Sequence, residues 1–213
     1  MSLTVSQSVG HTWAIIPVKS FDRGKSRLAM SLDARERRSL SAMLFERALD
    51  ACARCSQIDR VLIASDGLEA LMLGERRGAL GLLDPEPRAP FARVMDLALA
   101  HVHAQGATRA LIAMADLPHV RPRDLSELLA TLEPGSLVVA PDQNRRGIGA
   151  LACRLPAALR MQLGNRDSLA RTLEEARAKQ LRVNLVHNPR LAHDIDTAAD
   201  LALVQAAFVQ RAR

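Results

Sequence analysis

Lys19 and the segment Asp22-Arg23-Gly24-Lys25-Ser26-Arg27 follow a short apolar run near the start of the chain. Residues 19–38 hold seven basic side chains against three acidic ones. A local cluster of this kind suits a small polyphosphate better than a long polymer. Gly24-Lys25-Ser26 invites comparison with the phosphate loop G-x-x-x-x-G-K-[ST]. The first glycine of that pattern would fall at position 19, which is Lys, so the usual backbone cradle cannot form. What remains is a loop with two lysines and two arginines ahead of a helix, which can hold a triphosphate by charge and by backbone donors.

Carboxylates follow the later apolar runs. Asp66 comes after residues 60–65, Asp116 after the apolar stretch 111–115, Asp142 after 136–140, and a final loop carries His193-Asp194-Ile195-Asp196. A carboxylate at the mouth of a buried strand calls for a partner, and oxygen-seeking magnesium is the natural one for Asp116 with Asp194 and Asp196. If 194–196 is extended, side chains two apart point to opposite sides, and only one of these two aspartates faces the metal directly. Asp196 also reads as the cap of a helix that opens at Thr197 with Asp200 three residues on. Carboxylates holding Mg²⁺ opposite lysines and arginines are the constellation of phosphoryl or nucleotidyl transfer.

Other chemistries find less support. No histidine pair has the helical H-x-x-x-H spacing of a zinc site, and there is no G-x-S-x-G nucleophile turn. The three cysteines, Cys52, Cys55 and Cys153, are an odd number, and Cys52 and Cys55 end an amphipathic helix without a second pair; they read as structural thiols.

The elements that must position these residues alternate. Strands are predicted over 13–18, 60–65, 110–115, 136–140, 149–154 and 182–186, mostly as continuous apolar runs; helices are predicted over 33–55, 67–73, 91–104, 122–132, 168–179 and 197–210. That alternation predicts an α/β, three-layer Rossmann-like fold: a mostly parallel sheet with helices on both faces and ligands at the carboxyl ends of the strands. The strands flanking the turn Arg145-Arg146-Gly147-Ile148-Gly149 form a local antiparallel excursion in this reading. The chain has 213 residues, 48% hydrophobic and 24% charged, which fits one folded domain over 1–213. Its apolar runs are far shorter than the ~20 residues of a membrane-spanning helix. The opening MSLTVSQSVGHTW lacks a basic segment followed by a long apolar one, so a cytoplasmic location is expected. The formal charge of +6 favours an anionic partner, but four Phe, one Trp and no Tyr leave no platform for stacking nucleic-acid bases.

Four blocks together resemble the 2-phospho-L-lactate guanylyltransferase family: AIIPVKSFDRGKSRLA (14–29), ADLP (115–118), VVAPDQNRRGIGAL (138–151) and HDIDTAADL (193–201). They stand in the family's order and span nearly the whole chain. The family makes a guanylylated intermediate of the deazaflavin coenzyme, with phosphoenolpyruvate or another phospho acid in place of phospholactate in some members. The resemblance implies a GT-A-like nucleotidyltransferase sheet, magnesium as cofactor, and two small-molecule substrates: GTP and a phosphorylated acid such as 2-phospholactate, phosphoenolpyruvate or 3-phosphoglycerate. Membrane and nucleic acid are not expected partners, and a homodimer is compatible with it. Carried onto this chain, Lys19, Lys25, Ser26, Arg27 and Asp66 would bind the nucleotide. Lys25 and Asp116 would be catalytic, and Asp116, Asp194 and Asp196 would hold the metal. Ile148, Gly164 and Ser168 would face the acceptor.

The chain departs from the family in three places. The family's G-T-x-T-N-A-L stretch is Arg146-Gly147-Ile148-Gly149-Ala150-Leu151 here, a G-P-G-S segment is represented by Gly164-Asn165-Arg166-Asp167-Ser168, and G-L-N ahead of the third helix is replaced by Pro90-Phe91-Ala92-Arg93. Guanine is therefore implied by the resemblance and not read from these residues. A changed phospho-metabolite or sugar-phosphate acceptor, and a non-catalytic nucleotide-binding relative, remain as alternatives.

Overall fold

A computed structural model describes residues 11–84 and 89–202. Seven strands form one sheet: β1 Thr12–Val18, β2 Arg60–Ser65, β3 Leu80–Leu83, β4 Arg109–Ala113, β5 Ser136–Pro141, β6 Ile148–Arg154 and β7 Arg182–Leu185. The helices between them are α1 Ala34–Ala53, α2 Leu68–Glu75, α3 Phe91–Ala104, α4 Pro122–Ala130, α5 Ser168–Ala178 and the one-turn α6 Pro189–Ala192. The strand order is β3-β2-β1-β4-β6-β5-β7. Neighbours are parallel except β6, which runs antiparallel to both β4 and β5, as the turn at 145–149 predicts. The fold class is the predicted one: α/β, Rossmann-like and mostly parallel.

The chain first winds from β1 outward to β3 and then returns to lay β4 on the other side of β1. That reversal opens a crevice beyond the carboxyl ends of β1 and β4, where ligands bind in sheets of this kind. Strand β1 explains why the sheet is buried on both faces. Trp13 and Ile15 point into one core with Met95, Leu99 and Val102 of α3, while Ala14 and Ile16 point into the other with Phe45 and Leu49 of α1 and Leu125 of α4. Each large apolar side chain so buried contributes roughly 1.5–3 kcal/mol. α1 begins at a full capping box: the Asp33 carboxylate accepts the Glu36 N–H at 2.8 Å and the Glu36 carboxylate accepts the Asp33 N–H at 2.7 Å. All three cysteines are free and buried, and burial pushes the Cys153 thiol up to about 12.

Two elements were not predicted, β3 and α6. The predicted strand 110–115 ends at Ala113, which leaves Met114, Ala115 and Asp116 in an irregular crossing to α4. Of the predicted helix 197–210, residues 198–202 are helical and those beyond 202 lie outside the described residues. Among the described residues no helix is long and apolar enough to cross a membrane.

Candidate active site

The crevice is a cleft of about 740 Å³. Its walls are the carboxyl ends of β1, β2 and β4 together with Asp84 after β3, the start of α3, Gly164 and Asp196. The basic loop after β1 is folded as two short 3₁₀ turns, Phe21–Arg23 and Ser26–Leu28, joined through Gly24 and Lys25. A Cβ on Gly24 would stand 2.5 Å from Ser41 Oγ of α1, so a larger residue here would force the Ser41 hydroxyl off its hydrogen bond to Arg37 O. Lys25 has φ 54° and ψ 36°, the left-handed region. For a residue with a side chain that conformation costs about 1–2 kcal/mol, and backbone strain of this kind gathers at functional sites.

That conformation delivers the Lys25 ammonium into a group of carboxylates. Nζ lies 2.9 Å from Asp116 Oδ2 and 3.3 Å from Asp196 Oδ1, with the side chain 9% exposed. Burial works to lower the Lys25 pKa, but Asp116 and Asp196 outweigh it and hold the ammonium above its ordinary 10.5. Arg27 Nη1 reaches Asp196 Oδ2 at 2.6 Å from the exposed side. Asp116, Asp194 and Asp196 each offer an oxygen within 4.8 Å of the others. Burial pushes the Asp194 carboxyl up to about 6, reinforced by the negative charge of Asp116 and Asp196. Three carboxylates thus share one buried lysine and one exposed arginine, and the cluster is short of positive charge.

The expectation that only one of Asp194 and Asp196 faces this centre is corrected. Residues 193–196 are not a strand: the Ile195 N–H donates to Asp116 O at 3.3 Å, and the Ile195 side chain is fully buried against Leu28, Leu40 and Leu44. With Ile195 as the anchor, the aspartates on either side both reach Asp116. The capping of the following helix falls to others. Asp200 accepts the backbone N–H groups of Asp196 and Thr197 at 3.1 and 2.7 Å, and its own N–H donates to Thr197 Oγ1 at 3.3 Å. The Asp196 carboxylate is left to Lys25 and Arg27.

The remaining predicted residues divide. Lys19, Ser26 and Gly164 line the same cleft as Lys25, Arg27 and Asp116. Asp66 lines it too, accepting the Ser20 N–H at 2.7 Å and pairing with Arg23. Ile148 is 6% exposed and packs in the core, and Ser168 is buried with its hydroxyl closed on Asn165 O at 2.5 Å; neither lines the cleft. Phe91, which the sequence offers only as part of the segment replacing G-L-N, also lines the cleft, as does Asp84, which the sequence does not single out. Asp84 would have stood out by the strand-end rule had β3 been recognised.

This arrangement can bind a polyphosphate along the loop after β1 and a cation at the end of β4. The profile described as "Guanylyl transferase CofC like" matches residues 12–206. The chain belongs to that family. A phosphoenolpyruvate guanylyltransferase of Sphaerobacter thermophilus is 35% identical over 190 residues, covering 89% of this chain and 90% of the relative. A 2-phospho-L-lactate guanylyltransferase of Methanothermobacter thermautotrophicus is 31% identical, covering 89% and 82%. Among solved structures, a nucleotidyl transferase from Methanothermobacter superposes with a TM-score of 0.64 at 16% identity, covering 94% of this chain and 99% of that one. The 4-diphosphocytidyl-2C-methyl-D-erythritol synthase of Anaerococcus prevotii gives 0.64 at 12%, covering 94% and 96%. These likenesses establish the fold, and the family makes this CofC-like chain a nucleotidyltransferase.

Proposed function

We propose that the chain transfers GMP from GTP to a small phosphorylated acid, of the kind named for its relatives, and releases pyrophosphate, serving deazaflavin coenzyme biosynthesis. The observation that carries this reading is the Asp116, Asp194 and Asp196 cluster facing Lys25 at the end of β4. Its donors are all carboxylate oxygens, the set preferred by a hard divalent cation such as Mg²⁺. When bound there, Mg²⁺ would offset charge on the phosphate oxygens.

Everything else falls to side chains of this chain. Lys19, Ser26 and Arg27 grip the triphosphate, with Lys25 directed at the reacting phosphate. The acceptor's phosphate oxygen is already anionic near neutral pH, so its attack on the α-phosphorus needs no general base. A bond forms between that oxygen and the α-phosphorus as the bond to the oxygen bridging to the β-phosphate breaks, and pyrophosphate leaves with the electron pair. Lys25 and Arg27 balance the charge that grows on the leaving group, and alignment supplies the remainder.

Guanine has support on the far side of the cleft. The strand β3 lies three strands from β4, about 14 Å at ordinary strand spacing, comparable to the reach of a nucleotide from its α-phosphate to the far edge of its base. There the Asp84 N–H is fixed on Ser65 O at 2.8 Å, and Ala64, Phe91 and Val94 supply apolar wall. Guanine is the base whose N1–H and exocyclic amine present two adjacent donors to one carboxylate, and Asp84 is a carboxylate that lines the cleft at that end, next to Asp66 after β2.

The placement of Ile148 in the core and the closed Ser168 hydroxyl favour a second reading for the acceptor alone, another phospho-metabolite or a sugar phosphate. Pyrophosphate release with Mg²⁺ and each of the four nucleoside triphosphates, against 2-phospholactate, phosphoenolpyruvate, 3-phosphoglycerate, a panel of sugar phosphates and no acceptor, tests both readings. Release with GTP and one phospho acid is expected. Release with a sugar phosphate instead would move the assignment to the second reading, and no release in any combination would overturn the catalytic one.

A further inference from the structure

Asp124 is the one fully buried carboxylate among the described residues, 0% exposed, and it does not line the cleft. It stands in the first turn of α4 and accepts the Arg121 N–H at 3.0 Å. Arg190, from α6, lays its guanidinium across both oxygens: Nε at 2.9 and 2.8 Å and Nη2 at 2.5 Å. Asn188 adds Nδ2 at 3.0 Å, while its own Oδ1 accepts the Arg190 N–H at 2.9 Å and so caps α6. Every acceptor direction of the carboxylate is taken.

The position of this group in the chain gives it meaning. Asp124 ends a stretch that begins at Asp116, and Asn188 begins a stretch that ends at Asp196. The two stretches are fastened to each other at both ends, by Ile195 N–H to Asp116 O near the cleft and by the Asp124, Asn188 and Arg190 group at the other end. Between the ends lies α6, four residues long and too short to hold a helical turn unaided. It is pressed onto β6 so closely that a Cβ on Gly149 would stand 1.8 Å from Leu191 O. An apolar pair could fill the space of a buried ion pair at equal or lower cost in stability. What an apolar pair lacks is the fixed fork geometry of arginine on a carboxylate.

We propose that Asp124, Asn188 and Arg190 form a positioning group that sets the spacing of Asp116, Asp194 and Asp196, and with it the affinity of that cluster for a divalent cation. The proposal rests on the metal-binding reading above and extends it to residues that touch neither metal nor substrate. Groups hydrogen-bonded directly to metal ligands change affinity about 10–100-fold when altered, and a group acting at one remove through the backbone belongs at the low end of that range.

The test is a Mn²⁺ titration followed by electron paramagnetic resonance, on intact protein without nucleotide, with the folded fraction read by circular dichroism. Asp124→Asn and Arg190→Gln are expected to weaken Mn²⁺ binding about tenfold or more, and Arg190→Lys, which keeps the charge but not the fork, to fall between them and wild type. Val102→Ala, in the core on the opposite face of the sheet, serves as a destabilised control whose Mn²⁺ affinity stays at the wild-type value. If the folded Asp124→Asn and Arg190→Gln proteins bind Mn²⁺ as tightly as wild type, the group is only structural and the proposal falls alone. If wild type itself binds no Mn²⁺, the metal-binding reading falls and takes the proposal with it.

Discussion

Asp116 and Asp124 stand eight residues apart on the segment that leaves β4, and each meets a cation from a distant part of the chain. At Asp124 one carboxylate meets one guanidinium, one amide and one backbone N–H, and its charge is matched. Burial there works to raise the pKa, but the hydrogen bonds from Arg190 and Asn188 outweigh it and hold the carboxyl below the usual carboxylate range. At Asp116 three carboxylates crowd around one buried lysine, and Asp194 is pushed up to about 6. A group whose donors and acceptors are used up within the protein is built to stay. One that keeps surplus negative charge at the edge of a cleft is built to take something from solution.

The largest way to break this contrast is to remove charge from the open cluster. Asp116→Asn is expected to lower turnover with GTP and the true acceptor by about 10³-fold or more, several kcal/mol of metal-linked stabilisation, with the unfolding midpoint little changed. Wild-type turnover in that variant would show that Asp116 holds no catalytic cation. The mirror experiment removes charge from the closed cluster. Arg190→Met leaves Asp124 buried without its cation and is expected to cost about 3–5 kcal/mol of stability at pH 7. In wild type the Asp124 pKa is depressed, so its stabilisation is present above the unfolded carboxylate value of about 3.9 and is lost as pH falls through the lower folded value. In the variant the isolated carboxyl is destabilised in its charged form, so protonation relieves it. The gap between the two proteins in urea unfolding should therefore be widest at pH 7 and close toward pH 3; a gap constant with pH would mean that packing, not charge, made the difference.

How much of this contrast could be read from the sequence depends on how far apart its parts lie. Lys25 and Asp116 were legible because they come after apolar runs, which in an α/β sheet deliver the residues that follow to one edge, and Asp194 and Asp196 because two acids stand together in the loop beyond the last predicted strand. The contact between Asp124 and Arg190 spans 66 residues and leaves no local spacing to read. Asp124 by itself looks like an ordinary acid in the first turn of a helix. The short helix α6 did carry a signal, Asn188 as cap with Pro189 in the first turn, but it was hidden by its length. The strand β3 is four residues at the sheet edge, largely exposed, with a glycine in it, and so it lacked both alternation and a buried run. Missing it also hid Asp84, which lines the cleft at that end and is proposed above to meet the base.

Asp84 offers a subtler test, because it changes preference instead of abolishing function. Asp84→Asn replaces one acceptor with a donor, which suits xanthine, whose C2 carbonyl stands where guanine has its amine. The ratio of kcat/KM for GTP over XTP is expected to fall by about 10–200-fold, the range of one or two hydrogen bonds. An unchanged ratio would remove Asp84 from base recognition while leaving the transfer chemistry intact.

The smallest effect belongs to a third ionic group, which shows that distance alone does not rank these contacts. Arg38 on α1 reaches Asp22 at 2.7 Å and Glu69 of α2 at 2.8 Å, as short as the contacts of Lys25. Its partners raise its pKa, yet all three side chains lie in solvent, with Arg38 43% exposed and the two acids more so. Water and salt screen such pairs, and the entropy of holding long side chains offsets what attraction remains. Arg38→Gln is therefore expected to leave the unfolding midpoint and the Mn²⁺ affinity within error of wild type. A clear loss in either would mean that the contact between the basic loop and α2 helps to hold Lys25 in place, and the division between closed and open clusters would have to include the protein surface.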